Sequence, residues 1–362
     1  MSLLFMESFD WISTSASSAV VEDLMLKKYT LADVDDGGGE TVLGRRGGSA
    51  LDMGIVGSNH FQTASIRDAT VDQIAICGFM LKTPEIFATT PNFFFHLTAG
   101  SVIQVGVKLF GTGQFGVYDG TVFLRETSPP LVQPGRWYYV EIKIKVSATA
   151  GSIEVRFDGT VVWTSATTLA LRADTTVFWD AVRFRAGMGD KQIIDDIYVC
   201  DGAGTVNNNY LGDTSVEHIN PNAIGDNSAW TPSSAVDHYT LVDDGTNRTT
   251  LVDETDYVSS STTAQKDLFN YEALASPGVG DASLIHGVQV NTWARITEIQ
   301  PSDLISKTKT GTTEAGVTTT IRRDDTNQFI ETAIFELDAD TAVAWTVSGI
   351  NGAQFGIETG TV

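Results

Sequence analysis

The chain has 362 residues, 42% of them apolar, enough to pack about two domains and too many for global disorder. Its 45 acidic residues against 23 basic ones give a formal charge of −22, which repels phosphate backbones and anionic lipid and so excludes nucleic acid and membrane as expected partners. Two cysteines, Cys77 and Cys200, without CxxC or Cys/His spacing, exclude a zinc ribbon and a disulfide framework.

The first residues, Met1–Glu7, lack a basic leader, so no secretory signal is expected. No apolar run approaches the ~18 residues of a membrane span. Residues Val20–Lys28 fit a short helix or a strand equally well. Asp33, Asp35, Asp36 and Glu40 surround Gly37–Gly39 and form a first oxygen-rich loop that could hold calcium. In Phe93-Phe94-Phe95-His96-Leu97, alternation places Phe93, Phe95 and Leu97 on one face and Phe94 on the other. Packing between two sheets explains them better than a sugar-stacking platform.

The clearest strand is Trp137–Lys145. Val140, Ile142 and Ile144 fall on one face; Glu141, Lys143 and Lys145 fall on the other, which reads as solvated. Next come Ile153–Phe157, Asp158-Gly159 and Val161–Trp163. Asp-Gly between alternating runs predicts a two-residue hairpin, because a type I′ turn needs positive φ at both central positions. Strands are expected at Val177–Trp179, Val182–Phe184 and Ile193–Val199. The small, polar, aperiodic stretch Asp201–Asn209 marks a boundary. The predicted organisation is a first domain over 1–203, a linker over 204–212 and a second domain over 213–362.

Beyond the boundary, strands are expected at Ser215–Ile219, His238–Val242, Ile285–Ile299, Gly316–Arg323, Phe329–Leu337, Ala342–Val347 and Ala353–Ile357. Asp243, Asp244, Asp253, Glu254 and Asp256 form a second calcium candidate, with turn-making as the competing explanation of both loops. The five histidines show no metal-ligand spacing, and there is no GxSxG elbow, P-loop or GxGxxG after a strand. Asp195 and Asp196 are adjacent, so a regular strand would point them to opposite faces, unsuited to paired-carboxylate hydrolysis. No catalytic residue and no cofactor are expected.

The order of several motifs carries a resemblance. Glu7-Ser8-Phe9-Asp10, Gly44–Leu51, Gly135–Glu141, the Gly151–Trp163 hairpin and Ile194–Val199 resemble a concanavalin A-like (laminin-G-like) β-sandwich over about the first 200 residues. Tyr210–Asp213, Trp230-Thr231, Asp256–Ser259, Asp267–Phe269, Ile285–Val290, Ala344–Val347 and Phe355–Ile357 resemble the partner region of tailed-bacteriophage virion proteins. The resemblance implies an all-β chain, a sandwich followed by a second, jelly-roll-like β-sandwich. It implies a virion structural protein, made in the host cytoplasm and associated with the tail as fibre, tip or baseplate appendage. A capsid decoration or neck protein is the nearest variant, and a carbohydrate-binding adhesin the second class. The partners implied are other virion proteins, further copies in a homo-oligomer (a trimer by analogy) and, for an adhesin, a host surface glycan.

Overall fold

A computed structural model describes residues 2–34, 39–55, 58–66, 74–86, 92–120, 122–126, 132–165, 169–186, 191–244, 248–250, 255–274, 283–297, 302–321 and 329–360. The chain is all-β, with antiparallel pairing in the strand ladders and, among the described residues, two short α-helices, Ser18–Met25 and Val347–Asn351. It forms two compact units, Met1–Val216 and Glu217–Val362.

The first unit is a sandwich. Its back sheet has nine strands, along the order Thr160–Thr164, Ser147–Phe157, Trp137–Lys145, Ile74–Lys82, Ile193–Cys200, Ser49–Asp52 and Glu40–Leu43. Leu3–Glu7 also pairs with Ile193–Cys200, and Leu169–Leu171 with Ser147–Phe157. The front sheet has seven strands, in the order Val122–Glu126, Phe115–Asp119, Val102–Leu109, Asn92–Ala99, Ala181–Arg185, His60–Thr63 and Tyr29–Asp33.

Period-two sequence makes the core. Trp137–Lys145 is a strand over its predicted length, with Val140, Ile142 and Ile144 buried. Phe79 of the back sheet meets Phe94, Phe95 and Phe184 of the front sheet, at centroid distances of 6.4, 6.3 and 5.0 Å. Phe94 and Phe95 are both buried, although alternation would separate them; the register shifts between Phe93 and Phe95, and the bulge turns two successive rings inward. The side chain of Phe93 lies outside the described residues. Trp179 is buried in an irregular segment rather than a strand, donating from Nε1 to the Ile74 carbonyl at 3.0 Å.

The predicted hairpin forms, with Asp158 at φ 47° and Gly159 at φ 77°. Val20–Lys28 resolves as the helix Ser18–Met25. Both cysteines are free and buried. Cys77 pairs with Val199 while Cys200 pairs with Ile76, so the two thiols point to opposite faces of the sheet.

The second unit is also antiparallel β. A five-stranded sheet runs Pro221–Ser228, Lys266–Tyr271, Gln354–Thr359, Ser302–Thr310 and Thr313–Ile321. Val288–Ala294 pairs with Phe329–Phe335 as a separate ladder. Val290, Ala333, Phe335, Trp345, Ile350, Ala353 and Phe355 form its core. Trp345 donates from Nε1 to the Phe335 carbonyl at 2.9 Å, so its polar edge is satisfied inside that core. His238–Leu241 is a 3-10 turn rather than a strand, and residues 215–219 form no strand.

Candidate functional site

Alternation gives the front sheet two different faces. Inward, Phe61, Phe184, Phe95, Val107 and Val117 stand side by side across five strands, all buried. Outward, the pairings Leu31↔Gln62, Gln62↔Arg183, Arg183↔His96, His96↔Gly106, Gly106↔Tyr118 and Tyr118↔Phe123 form one cross-strand row over all seven strands. A neighbouring row carries Asp33, His60 and Arg185 on one side and Lys108 with Gly116 on the other.

This outward face gathers cations in a strongly acidic chain. Arg183 donates from Nε to Gln62 Oε1 at 2.9 Å, which fixes its guanidinium against the sheet. Burial, and then the charges of Arg183, Arg185, His60 and Lys108, push the pKa of His96 down to about 3, so its ring is neutral at physiological pH. Burial and then Arg185 lower the pKa of Lys108 and of Arg183. Lys108 Nζ stands 4.6 Å from the Tyr118 ring centroid. Phe123 packs edge-on against Tyr118 at 5.3 Å and against Phe110 at 6.4 Å. Phe110 and Phe123 reach over Gly116, where an added Cβ would lie 2.4 Å from Phe110 Cε2. Phe123 is 48% exposed. Among the described side chains, Asp33, in register with His60, and Asp174, which accepts from Gln104 Nε2 at 3.3 Å, border the face, and Glu126 is in register with Gly116.

The back sheet's outer face is built differently. Residues 204–212, expected as a linker, belong to the first unit, and the chain stays on that unit to Val216. Leu211 N donates to Tyr198 Oη at 3.0 Å, and Gly212 N to Glu141 Oε1 at 2.9 Å. Tyr198 Oη also donates to Glu141 Oε1 at 2.5 Å. Tyr139 Oη meets Thr214 Oγ1 at 2.6 Å, and Val216 N donates to Asp196 Oδ1 at 2.8 Å. Arg156 lies 3.8 Å from the Tyr210 ring centroid. Glu141, expected on a solvated face, is therefore buried beneath this strap. The Tyr198 ring lies on Gly78, where a Cβ would come 2.1 Å from Cε1.

Glu7, of the first resemblance motif, lies on the inward face of the same sheet, in register with Ile197, while Met6 is in register with Tyr198. Glu7 Oε1 accepts from Ser8 N, Phe9 N and Trp11 Nε1, while Oε2 accepts from Lys28 Nζ at 2.8 Å and Tyr29 Oη at 2.5 Å. Burial alone would raise the Glu7 pKa; Lys28 and the hydrogen bonds outweigh it and hold it below the ordinary value. Asp10 Oδ1 accepts from Ser49 N at 2.6 Å. Asp195 and Asp196 depart from simple alternation, because the register shifts between Asp195 and Tyr198 and Asp196 takes φ 50°. Both are buried, and burial followed by the Asp196 charge pushes the Asp195 pKa well above the carboxylate range.

The calcium candidates do not assemble into a ligand set among the described residues. Asp33 ends its strand beside His60, and Glu40 accepts from Lys191 at 2.7 Å. Asp35 and Asp36 lie outside the described residues. In the second unit Asp244 pairs with Arg248 at 3.2 Å, and burial followed by Asp244 and Asp256 raises the pKa of Asp243. Asp253 and Glu254 lie outside the described residues. Ser228, His238 and Asp267 do meet in this unit. Ser228 Oγ (3.0 Å) and Asp267 Oδ2 (2.6 Å) both address His238 Nδ1, whereas a nucleophile–base–orienter relay needs both ring nitrogens.

Sequence reasoning missed the front face. Its signal was present as polar and cationic residues alternating with core residues in Gln104–Lys108 and Val182–Arg185. Only the strand order, which sets Ala181–Arg185 between Asn92–Ala99 and His60–Thr63, brings them together.

The chain matches no protein-family model and no curated protein. Among solved structures it overlaps the binding domain of Paraclostridial Mosquitocidal Protein 1 (TM-score 0.38, 10% identity, 56% of this chain and 50% of that one). It also overlaps domain 4 of AbnA, an extracellular arabinanase from Geobacillus stearothermophilus, solved with arabinotriose (0.35, 15%, 56% and 94%). With Trypanosoma rangeli sialidase the figures are 0.33, 12%, 45% and 27%, so the chain spans about a quarter of that enzyme. Scores this low at such identities establish neither a shared fold nor a shared activity.

Proposed function

We propose that the chain is a glycan-binding, adhesive β protein rather than a catalyst, and that it meets sugar with the outer face of its front sheet. The observation that carries this reading is the cross-strand row Gln62–Arg183–His96–Gly106–Tyr118–Phe123. Gln62, His96, Gly106 and Tyr118 of that row are buried, and the partly exposed Arg183 at one end and the exposed Phe123 ring at the other offer a hydrogen-bond donor and an aromatic face to a saccharide. The sheet beneath is rigid because its inner face is a packed aromatic core.

The setting we propose is a tailed-phage particle. In its support, three of the resemblance motifs meet at one carboxylate: Glu141 Oε1 accepts from Tyr198 Oη and from Gly212 N. An oligomer, a trimer by analogy, would multiply weak sugar contacts through avidity. Labelled antibody against the chain should decorate intact particles; particles bare of label would remove the setting.

A glycan array probed with the full chain tests the function itself. Binding that weakens in Phe123→Ala is expected. Binding to no glycan overturns the reading, and release of oligosaccharides from host polysaccharide overturns its non-catalytic half.

A further inference from the structure

The second unit carries an open sheet edge. We infer that its strand Thr313–Ile321 pairs with the same strand of a second copy of this chain, antiparallel about a two-fold axis at Val317, so that the two five-stranded sheets join into one. The inference is independent of the glycan-binding reading and concerns a different unit.

Strand edges invite such pairing, and natural proteins blunt them with short strands, bulges, proline or lysine. The other edges of the three large sheets carry these devices. Glu40–Leu43 has four residues. Thr160–Thr164, Val122–Glu126 and Tyr29–Asp33 have five each, and each has a register shift against its neighbour. Pro221–Ser228 begins on a proline and its register shifts twice. Thr313–Ile321 has none of them. It runs nine residues without proline, lysine or arginine, is mostly β-branched, and keeps unbroken register with Ser302–Thr310. Among the described residues no strand pairs with its other side. Thr310 and Thr313 close a two-residue turn with Gly311 at φ 58°, so alternation directs the backbone N–H and C=O of Glu314, Gly316, Thr318 and Thr320 away from Ser302–Thr310.

The occupant follows from self-complementarity. A two-fold axis at Val317 sets Thr313 against Ile321 of the second copy, Glu314 against Thr320, Ala315 against Thr319 and Gly316 against Thr318. Every residue of the strand finds a partner, and inward residues meet inward ones. Ala315 and Val317 already pack against the core of the unit, and the pairing extends that apolar face. A slip of one residue would set inward residues against outward ones. Charge agrees. In a chain of −22, the strand's one charged residue is Glu314, which would face threonine rather than its own copy. Glu314 is also neutralised within its own sheet: Lys266 Nζ donates to both its oxygens at 2.8 and 2.7 Å, and Lys307 Nζ lies 3.3 Å away. A two-fold contact closes as a dimer, whereas the trimer suggested by analogy needs a heterologous contact.

Sedimentation equilibrium of the unaltered full chain should give twice the chain mass. A single chain at every concentration up to the solubility limit, or a three-chain species, overturns the inference. Cross-linking tests the register. Val317→Cys should form a covalent dimer under mild oxidation, because the axis sets the two residues opposite each other, while Cys77 and Cys200 are buried. Thr319→Cys alone should not, since its two copies would lie roughly 14 Å apart at ~3.4 Å per residue; mixed with Ala315→Cys it should. Any other pattern overturns the pairing. Thr318→Pro removes an outward N–H and no bond to Ser302–Thr310, so it should raise the dimer dissociation constant at least tenfold at an unchanged circular dichroism spectrum. Unchanged affinity overturns the assignment to this edge. The mass measurement needs no variant, so a misfolded one cannot blunt it.

Discussion

The two outer faces of the first sandwich start from the same pattern, an alternating strand with polar residues facing away from the core. They end as opposites. On the back sheet the chain's own residues 210–216 lie over Glu141, Tyr198, Tyr139 and Asp196 and hydrogen-bond to each of them. On the front sheet Lys108, Arg183 and Arg185 keep partial exposure beside Phe123. Outward polarity alone therefore does not distinguish a structural face from a binding face; what covers the face decides. A carboxylate under a strap is part of the fold, whereas the Arg183 guanidinium keeps partial contact with solvent.

The comparison makes graded predictions. The largest effect is expected at Glu141→Ala, which leaves the Tyr198 hydroxyl and the Gly212 amide without their shared buried acceptor. About 3 kcal/mol should be lost in denaturant unfolding, with faster amide exchange at Leu211 and Gly212. A change under ~0.5 kcal/mol would mean that the strap is dispensable and the two faces are alike.

Gly78→Ala comes next. The added methyl meets the Tyr198 ring, and overpacking of this kind costs about 1–3 kcal/mol. The thermal midpoint should drop while ligand binding at the front face stays intact.

Asp195→Asn should have the opposite sign. The folded pKa of Asp195 is raised, so between the ordinary carboxylate value and about pH 9 the folded state holds a proton that the unfolded state has released. Stability therefore falls as pH rises through that window. Asparagine removes the ionisation and keeps an oxygen for the Asp196 amide. A gain of about 1–3 kcal/mol at pH 8, shrinking toward pH 4, is expected from unfolding curves at several pH values. A gain that does not vary with pH would contradict the assignment.

The smallest stability effect belongs to the front face. Phe123→Ser should stay within about 0.5 kcal/mol, because nearly half of that side chain is already exposed. Loss of glycan binding without loss of stability would sharpen the contrast with Glu141; a large stability loss would break it.

The strands and cores were legible because period-two alternation is a local signal. Trp137–Lys145 and the Asp158-Gly159 turn could be read directly from it. What escaped had non-local causes. The bulge at Phe93–Phe95 turned Phe94 inward, and the shift at Asp195–Tyr198 kept both aspartates buried. Composition suggested a linker at 204–212, yet those residues find partners on strands some 60 positions earlier, such as Glu141 and Glu154. The cation row was hidden for the same reason: its members come from strands between residues 60 and 185.

The strap also bears on how this protein could be cut or shuffled. A first-unit fragment ended at residue 203 would keep every strand of the sandwich and still strip the cover from Tyr198, Glu141 and Asp196. Ended at Val216, it would carry its own lid. Recombination that exchanges the second unit for another would meet the same constraint, so a tolerated crossover point belongs after the strap and not in the glycine-rich stretch before it.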